Sequence, residues 1–252
     1  NMNPDNPVIN VRSFSENPDD VAALGAAQVN EFEKNGIISA LKHFPGHGDT
    51  NVDSHTGLPK VMHSKEVIYA QDLAPFKHII EQHSPGMIMT AHIQYPELDS
   101  STLTNVDGKQ MIKPATMSRK IMTDILRKEL NYQGVVVTDA LDMAGISHFF
   151  SPTQAVINIF SAGVDIALMP IEIRTPDDIN KLDVLINDLV SVVKSGQLNA
   201  DEIAYSAQRI TSLKSKFKLN ALPNSINALA NAKHVIGNKA HRELEASLAL
   251  AA

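Results

Sequence analysis

Four short, nearly continuous apolar runs punctuate this sequence: IISALKHF (37–44), GMIMTAHI (86–93), GVVVTDAL (134–141) and VDIALMP (164–170). A strand that reads as apolar on both faces must be covered on both faces, and helices are the usual cover. Between the runs lie stretches with helical period: DDVAALGAAQVNEFEKNG before the first, then SKEVIYAQDLAPFKHIIEQ, ATMSRKIMTDILRKELN and SPTQAVINIFSAG. Two more helices are expected over residues 176–218, with Gly196 as the stop signal between them. Strand and helix alternate, which argues a parallel sheet with crossover helices.

The runs end in chemically loaded residues: Lys42 and His43 close the first, His92 the second and Asp139 the third. In parallel α/β folds the site sits at the carboxyl ends of the strands. Three consecutive strands that deliver polar groups to one end predict an α/β fold of the (β/α)8 TIM-barrel type. An open doubly wound sheet is the alternative. A whole barrel needs about eight such units, and four are visible, so the expectation is the C-terminal half-barrel alone. The catalytic portion is expected over residues 1–218 and a linker with the start of a C-terminal segment over 219–252, where NALPNSINALANAKHV reads as linker and HRELEASLALAA as a helix cut before its cap.

Composition narrows the functions. A net charge of −6 without a dense Lys/Arg run argues against nucleic acid as a partner. The absence of cysteine excludes a disulfide framework and a thiolate zinc site, and leaves the compartment open. No apolar run approaches the roughly 20 residues needed to span a bilayer.

The densest chemistry is KHFPGHGDTNVDSHTGLP, residues 42–59, with His43, His47, Asp49, Asp53 and His55. A metal site is disfavoured here, because a Gly/Pro-rich loop lacks the rigid spacing that ligand sets use. No metal and no organic cofactor is expected. His47 and Asp49 are read as residues that hold the loop through turn hydrogen bonds. Asp53 and His55, two apart in a segment read as extended, face the same way, so the carboxylate can orient the imidazole as a tuned proton donor and acceptor. Asp139 follows its strand directly, where a carboxylate serves either as a helix N-cap or as a nucleophile toward carbon.

The loop, followed by MTAHIQYPELD and GVVVTDALDMAGI, resembles the family 3 glycoside hydrolases, and within them the bacterial β-N-acetylglucosaminidase branch, over roughly residues 1–215. The resemblance implies a cofactor-free barrel enzyme that removes terminal, non-reducing β-linked N-acetylglucosamine with retention. By motif it implies Asp139 as nucleophile, His55 as general acid/base paired with Asp53, and Lys42, His43 and the Arg12 of NPVINVRSF as sugar ligands. His92, at its strand end, joins the expected substrate-binding set. Where the branch has two adjacent aspartates, this chain has Asp139 followed by Ala140, with Asp142 the next acid. A phosphorylase or β-glucosidase of the same family and a non-catalytic carbohydrate-binding fragment are the alternatives. The tail favours a longer, exported parent with a second domain, and further sugar ligands are expected upstream of Asn1.

Overall fold

A computed structural model describes residues 3–55, 57–219 and 225–249. The chain forms two compact units, Asn1–Leu213 and Lys214–Ala252.

In the first unit, α1 (Pro18–Lys34) begins where the Asn17 side chain accepts the Asp19 N–H at 2.8 Å, with Pro18 at its first turn. It ends before Gly36, whose φ of +79° suits glycine. The strands are β1 (Ala40–Phe44), β2 (Met87–Thr90), β3 (Thr102–Thr104), β4 (Gln110–Ile112) and β5 (Val135–Val137). β1, β2 and β5 form one parallel sheet in that order. Each of these strands lies beside the next parallel strand in the chain, as in a barrel wall, with no reversal of order such as a doubly wound sheet requires.

Two expectations are revised. The fourth apolar run lies alongside β5, yet it makes only the parallel bridge Val137↔Ile166 instead of a full strand. Asp165 occupies the place of a ladder residue and is drawn to charge: its buried carboxylate lies 2.6 Å from both Arg127 Nη2 and Arg209 Nη2. The helices expected over 64–82 and 115–131 are in part underwound into wider turns, in which Leu73 N–H reaches Ile68 O at 2.9 Å and Leu130 N–H reaches Ile125 O at 2.8 Å. Pro75, which has no N–H to give, follows the first of these turns and opens the helix Ala74–His83.

The antiparallel hairpin of β3 and β4 turns at Gly108, φ +78°. The sequence reading contains no hairpin there.

The core lies between sheet and helices. Val135, Val136 and Val137 are all buried, each side chain contributing about 1.5–3 kcal/mol of hydrophobic stabilisation. Phe44 meets Phe76 edge to face at 5.2 Å. α1 packs on Ala74–His83 through Ala26, Val29 and Ile79, and Gly25 permits the approach, because a Cβ there would stand 2.9 Å from Ile79 Cδ1.

The second unit contains the helices Ser225–Val235 and Lys239–Ala249. The stretch read as linker is therefore helical from Ser225 onward, its alanines outweighing the turn signals of its asparagines. Residues 220–224 and the expected cut end at 250–252 lie outside the described residues.

Candidate active site

The register of the parallel sheet brings the loaded strand ends together. Phe44 pairs with Thr90 and Met89 with Val137, so Lys42 and His43, His92 and Asp139 fall at one edge. The pairing of β1 slips between Leu41 and Phe44, where Lys42 and His43 sit.

Asp139, its side chain 20% exposed, accepts the Ala140 N–H on Oδ1 at 2.8 Å. Its Oδ2 lies 3.6 Å from His43 Nε2. It does not cap a helix: the next one, Ala144–Ser147, starts at Met143 without a side-chain cap. Asp142 is exposed and its carbonyl accepts from Ser147 Oγ at 3.0 Å. The strand-end carboxylate is therefore Asp139, with one oxygen turned to its own turn and the other to His43.

Burial pushes the His43 imidazole down to about 3, against the attraction of Asp139, and nearby Lys42, His47 and Arg12 push the same way. His43 is thus a neutral ring whose buried Nδ1 has no hydrogen-bond partner among the described residues. His92 is 1% exposed, also held down by burial, and its Nε2 donates to the Ala140 carbonyl at 3.1 Å. It lies beneath the turn that carries Asp139 and reaches backbone there.

The loop supplies a second carboxylate–imidazole pair. Asp53 Oδ1 accepts both His55 Nδ1, at 2.7 Å, and the His55 backbone N–H, at 2.8 Å. The segment is a turn closed by the Asp53 side chain rather than the extended segment expected from the sequence. Burial raises the Asp53 carboxyl, but the hydrogen bonds from His55 outweigh it and hold the carboxyl below its ordinary value. The His55 ring is otherwise exposed. Thr56 lies outside the described residues.

His47 and Asp49 hold the loop. His47 Nδ1 meets Thr50 Oγ1 at 2.8 Å and Nε2 meets Ser54 Oγ at 3.1 Å, while Asn6 Nδ2 donates to the His47 carbonyl at 2.7 Å. Asp49 pairs with His63 Nε2 at 2.6 Å.

Sequence reasoning missed Gly145. Its N–H donates to the Ser54 carbonyl at 3.3 Å, and a Cβ there would stand 2.8 Å from the Gly57 carbonyl. The loop that carries His55 therefore rests directly on the segment that follows Asp139. The signal in the sequence was the glycine of MAGI, in a short helix where alanine would otherwise serve better.

A cavity of about 380 Å³ opens beside β1, with Arg12, Lys42, His43 and His47 on its polar side and Phe32 and Phe76 on its apolar side. Arg12 is exposed in the single helical turn Asn10–Arg12 and donates to the Val8 carbonyl at 3.2 Å. Asp139 and His55 do not line this cavity. It marks the flank of β1 rather than the position of the reacting groups. Among the described residues, no group of three or more His, Asp or Glu side chains is disposed to hold a metal ion, and no helix is long and apolar enough to cross a membrane.

Comparison with known proteins gives a consistent outcome. Residues 1–213 match the family model described as glycosyl hydrolase family 3 N terminal domain. The chain is 59% identical over all 252 residues to Beta-hexosaminidase A from Pseudoalteromonas piscicida, covering 41% of that protein. Among solved structures, a glycoside hydrolase family 3 beta-N-acetylglucosaminidase from Paenibacillus sp. str. FPU-7 superposes with a TM-score of 0.78 at 36% identity, over 89% of this chain and 39% of that one. Zn bound CbsA from Thermotoga neapolitana gives 0.70 at 34% identity, over 86% of this chain and 42% of that one. The chain thus spans about two fifths of the length of each, and its sheet and helices form part of a TIM-barrel-like α/β fold.

Proposed function

The chain belongs to glycosyl hydrolase family 3, and from that premise we propose that it carries the reacting groups of a retaining β-N-acetylhexosaminidase acting on terminal, non-reducing β-linked N-acetylglucosamine. The observation that carries the reading is a pair of carboxylate–imidazole contacts, Asp139 with His43 at the carboxyl ends of the strands and Asp53 with His55 in the loop, which rests on the segment after Asp139 through the contact of Ser54 with Gly145. Retention needs one nucleophile and one proton shuttle.

In the first step an Asp139 carboxylate oxygen attacks the anomeric carbon, and the bond to the leaving oxygen breaks. That oxygen takes the proton from His55 Nε2, and the sugar is left as an ester of Asp139. Asp53, accepting from Nδ1, fixes the ring and stabilises its protonated form. In the second step neutral His55 removes a proton from water, which attacks the same carbon and frees Asp139. The neutral His43 ring adds no cation that would pair with Asp139 and blunt its attack. In this reading Arg12, Lys42 and His43 bind sugar hydroxyls, which their shared exposure to the cavity beside β1 supports, and His92 fixes the turn of Asp139 through its bond to the Ala140 carbonyl.

The test is covalent. In the full-length protein with His55→Ala, a dinitrophenyl β-N-acetylglucosaminide should load one N-acetylglucosaminyl group per chain, found by peptide mass spectrometry on Asp139, and Asp139→Ala should load none. The unaltered protein should release the β-anomer first by proton NMR. Release of the α-anomer first, or a label on another carboxylate, would sink the proposal.

A further inference from the structure

Behind the loop lies a set of titratable groups that the proposed mechanism does not use. His63, which lies beyond the loop in the sequence, sits between two carboxylates: Nε2 is 2.6 Å from Asp49 Oδ2 and Nδ1 is 3.4 Å from Asp72 Oδ2. Asp49 belongs to the loop, and Asp72 closes the underwound turn Ile68–Asp72 on the other side. Burial raises the Asp72 carboxyl to about 6, against the pull of His63.

The same carboxyl abuts the start of the loop. A Cβ on Gly46 would stand 2.8 Å from Asp72 Oδ1, and the hydroxyl of the buried Tyr95 donates to the Gly46 carbonyl at 2.7 Å. An imidazole with a carboxylate at each nitrogen donates to both only when the cluster holds one proton beyond those of a neutral ring and two carboxylates. From Asp49 the bracing runs on through Thr50 and His47 to Ser54, the residue between Asp53 and His55.

We infer that His63 is a positioning residue, which clasps the loop through Asp49 on one side and Asp72 on the other and so holds His55 in reach of the bond that Asp139 attacks, without touching substrate. The inference rests on the reading of His55 as proton shuttle.

The experiment compares His63→Ala, His63→Gln and His55→Ala in the full-length protein on an N-acetylglucosamine disaccharide and on the dinitrophenyl glycoside. His63→Ala should lose about tenfold or more in kcat on the disaccharide, a misplacement effect, and clearly less on the dinitrophenyl substrate. His63→Gln should recover part of the loss, since its amide can donate to Asp49. Hydrogen exchange should quicken in peptides from residues 46–58 and stay unchanged over Val135–Val137. Should His63→Ala fail to fold, Asp49→Ala cuts the clasp from the loop side and should give the same pattern.

Equal losses on both substrates, beside a His55→Ala variant that does discriminate between them, would overturn the inference and leave the shuttle intact. A His55→Ala variant that does not discriminate would refute the shuttle. Loop exchange would then decide alone, with faster exchange supporting the clasp and unchanged exchange overturning it.

Discussion

Gly145 and Ser54 meet backbone to backbone, the N–H of one donating to the carbonyl of the other at 3.3 Å. This contact places the loop of His55 on the segment that follows Asp139, and its closeness depends on a missing side chain. A Cβ on Gly145 would stand 2.8 Å from the Gly57 carbonyl and 3.0 Å from that of Ser54. Both neighbours are backbone, so the loop must move. Gly145→Ala should therefore lower kcat/KM on a disaccharide by about 10- to 100-fold and stability by about 1–3 kcal/mol, read by steady-state kinetics and urea melts. Unchanged kinetics would mean that loop and turn move independently.

The buried imidazoles make the fold acid-sensitive. His43, His47 and His92 are all held below the ordinary histidine value, burial being the largest cause in each. Unfolding lets them take up protons near pH 6.5, so the unfolded state binds more protons and stability falls as pH falls below that value. For His43 the loss continues down to about pH 3. The slope is about 1.4 kcal/mol per pH unit for each such histidine. Chemical melts between pH 7.5 and 4.5 should show this decline, and His43→Gln should make it shallower. A slope unchanged by His43→Gln would show that His43 takes a proton in the folded protein.

The strand ends were legible because buried parallel strands are apolar runs with hard polar stops, as in VVVTDA. The Asp53–His55 pair was legible for a related reason, since residues two apart meet whether the chain is extended or turned. What escaped depends on distance in sequence. His63 pairs with Asp49 and Asp72, Tyr95 reaches Gly46, and Gly145 meets Ser54. No periodicity announces such partners. Nor does apolar content tell that the fourth run would yield its ladder to Asp165, whose partners Arg127 and Arg209 lie on separate helical stretches. In the second unit the helix Lys239–Ala249 is legible in HRELEASLALAA, whereas Ser225–Val235 reads as linker because asparagine and proline signal turns locally even where alanine carries the helix.

Asp165 makes a stability prediction. Its side chain is 0% exposed and pairs with Arg127 and Arg209, and it also accepts the Val136 N–H at 2.8 Å. Asp165→Ala would strand two guanidinium groups and one strand amide. The cost should be about 3–5 kcal/mol, read as a shift of the urea midpoint. A change below about 1 kcal/mol would show that water reaches and solvates the arginines.

Metal dependence is open to a direct check. The imidazoles in and behind the loop are engaged within the protein, His47 with Thr50 and Ser54, and His63 with Asp49 and Asp72. Exhaustive dialysis of the full-length protein against EDTA should therefore leave its rate on the dinitrophenyl glycoside unchanged. A loss restored by zinc would mean that these rings turn outward to bind metal.

The sharpest prediction concerns the proton on His55. An alkoxide leaving group of high pKa needs that proton, whereas dinitrophenolate departs unaided. His55→Ala should lose most of its activity on the disaccharide and far less in the first step with the dinitrophenyl glycoside. The ester on Asp139 then lacks a base to activate water, so it should accumulate, and azide should speed turnover because an anion needs no deprotonation. Asp53→Ala should give a weaker form of the same pattern, since the carboxylate at 2.7 Å orients the ring without meeting the sugar. Pre-steady-state bursts and azide titrations separate the two steps. Equal losses on both substrates without azide rescue would reduce His55 to a sugar contact or a loop strut and move the search for the proton donor to Asp49, His47 and His92.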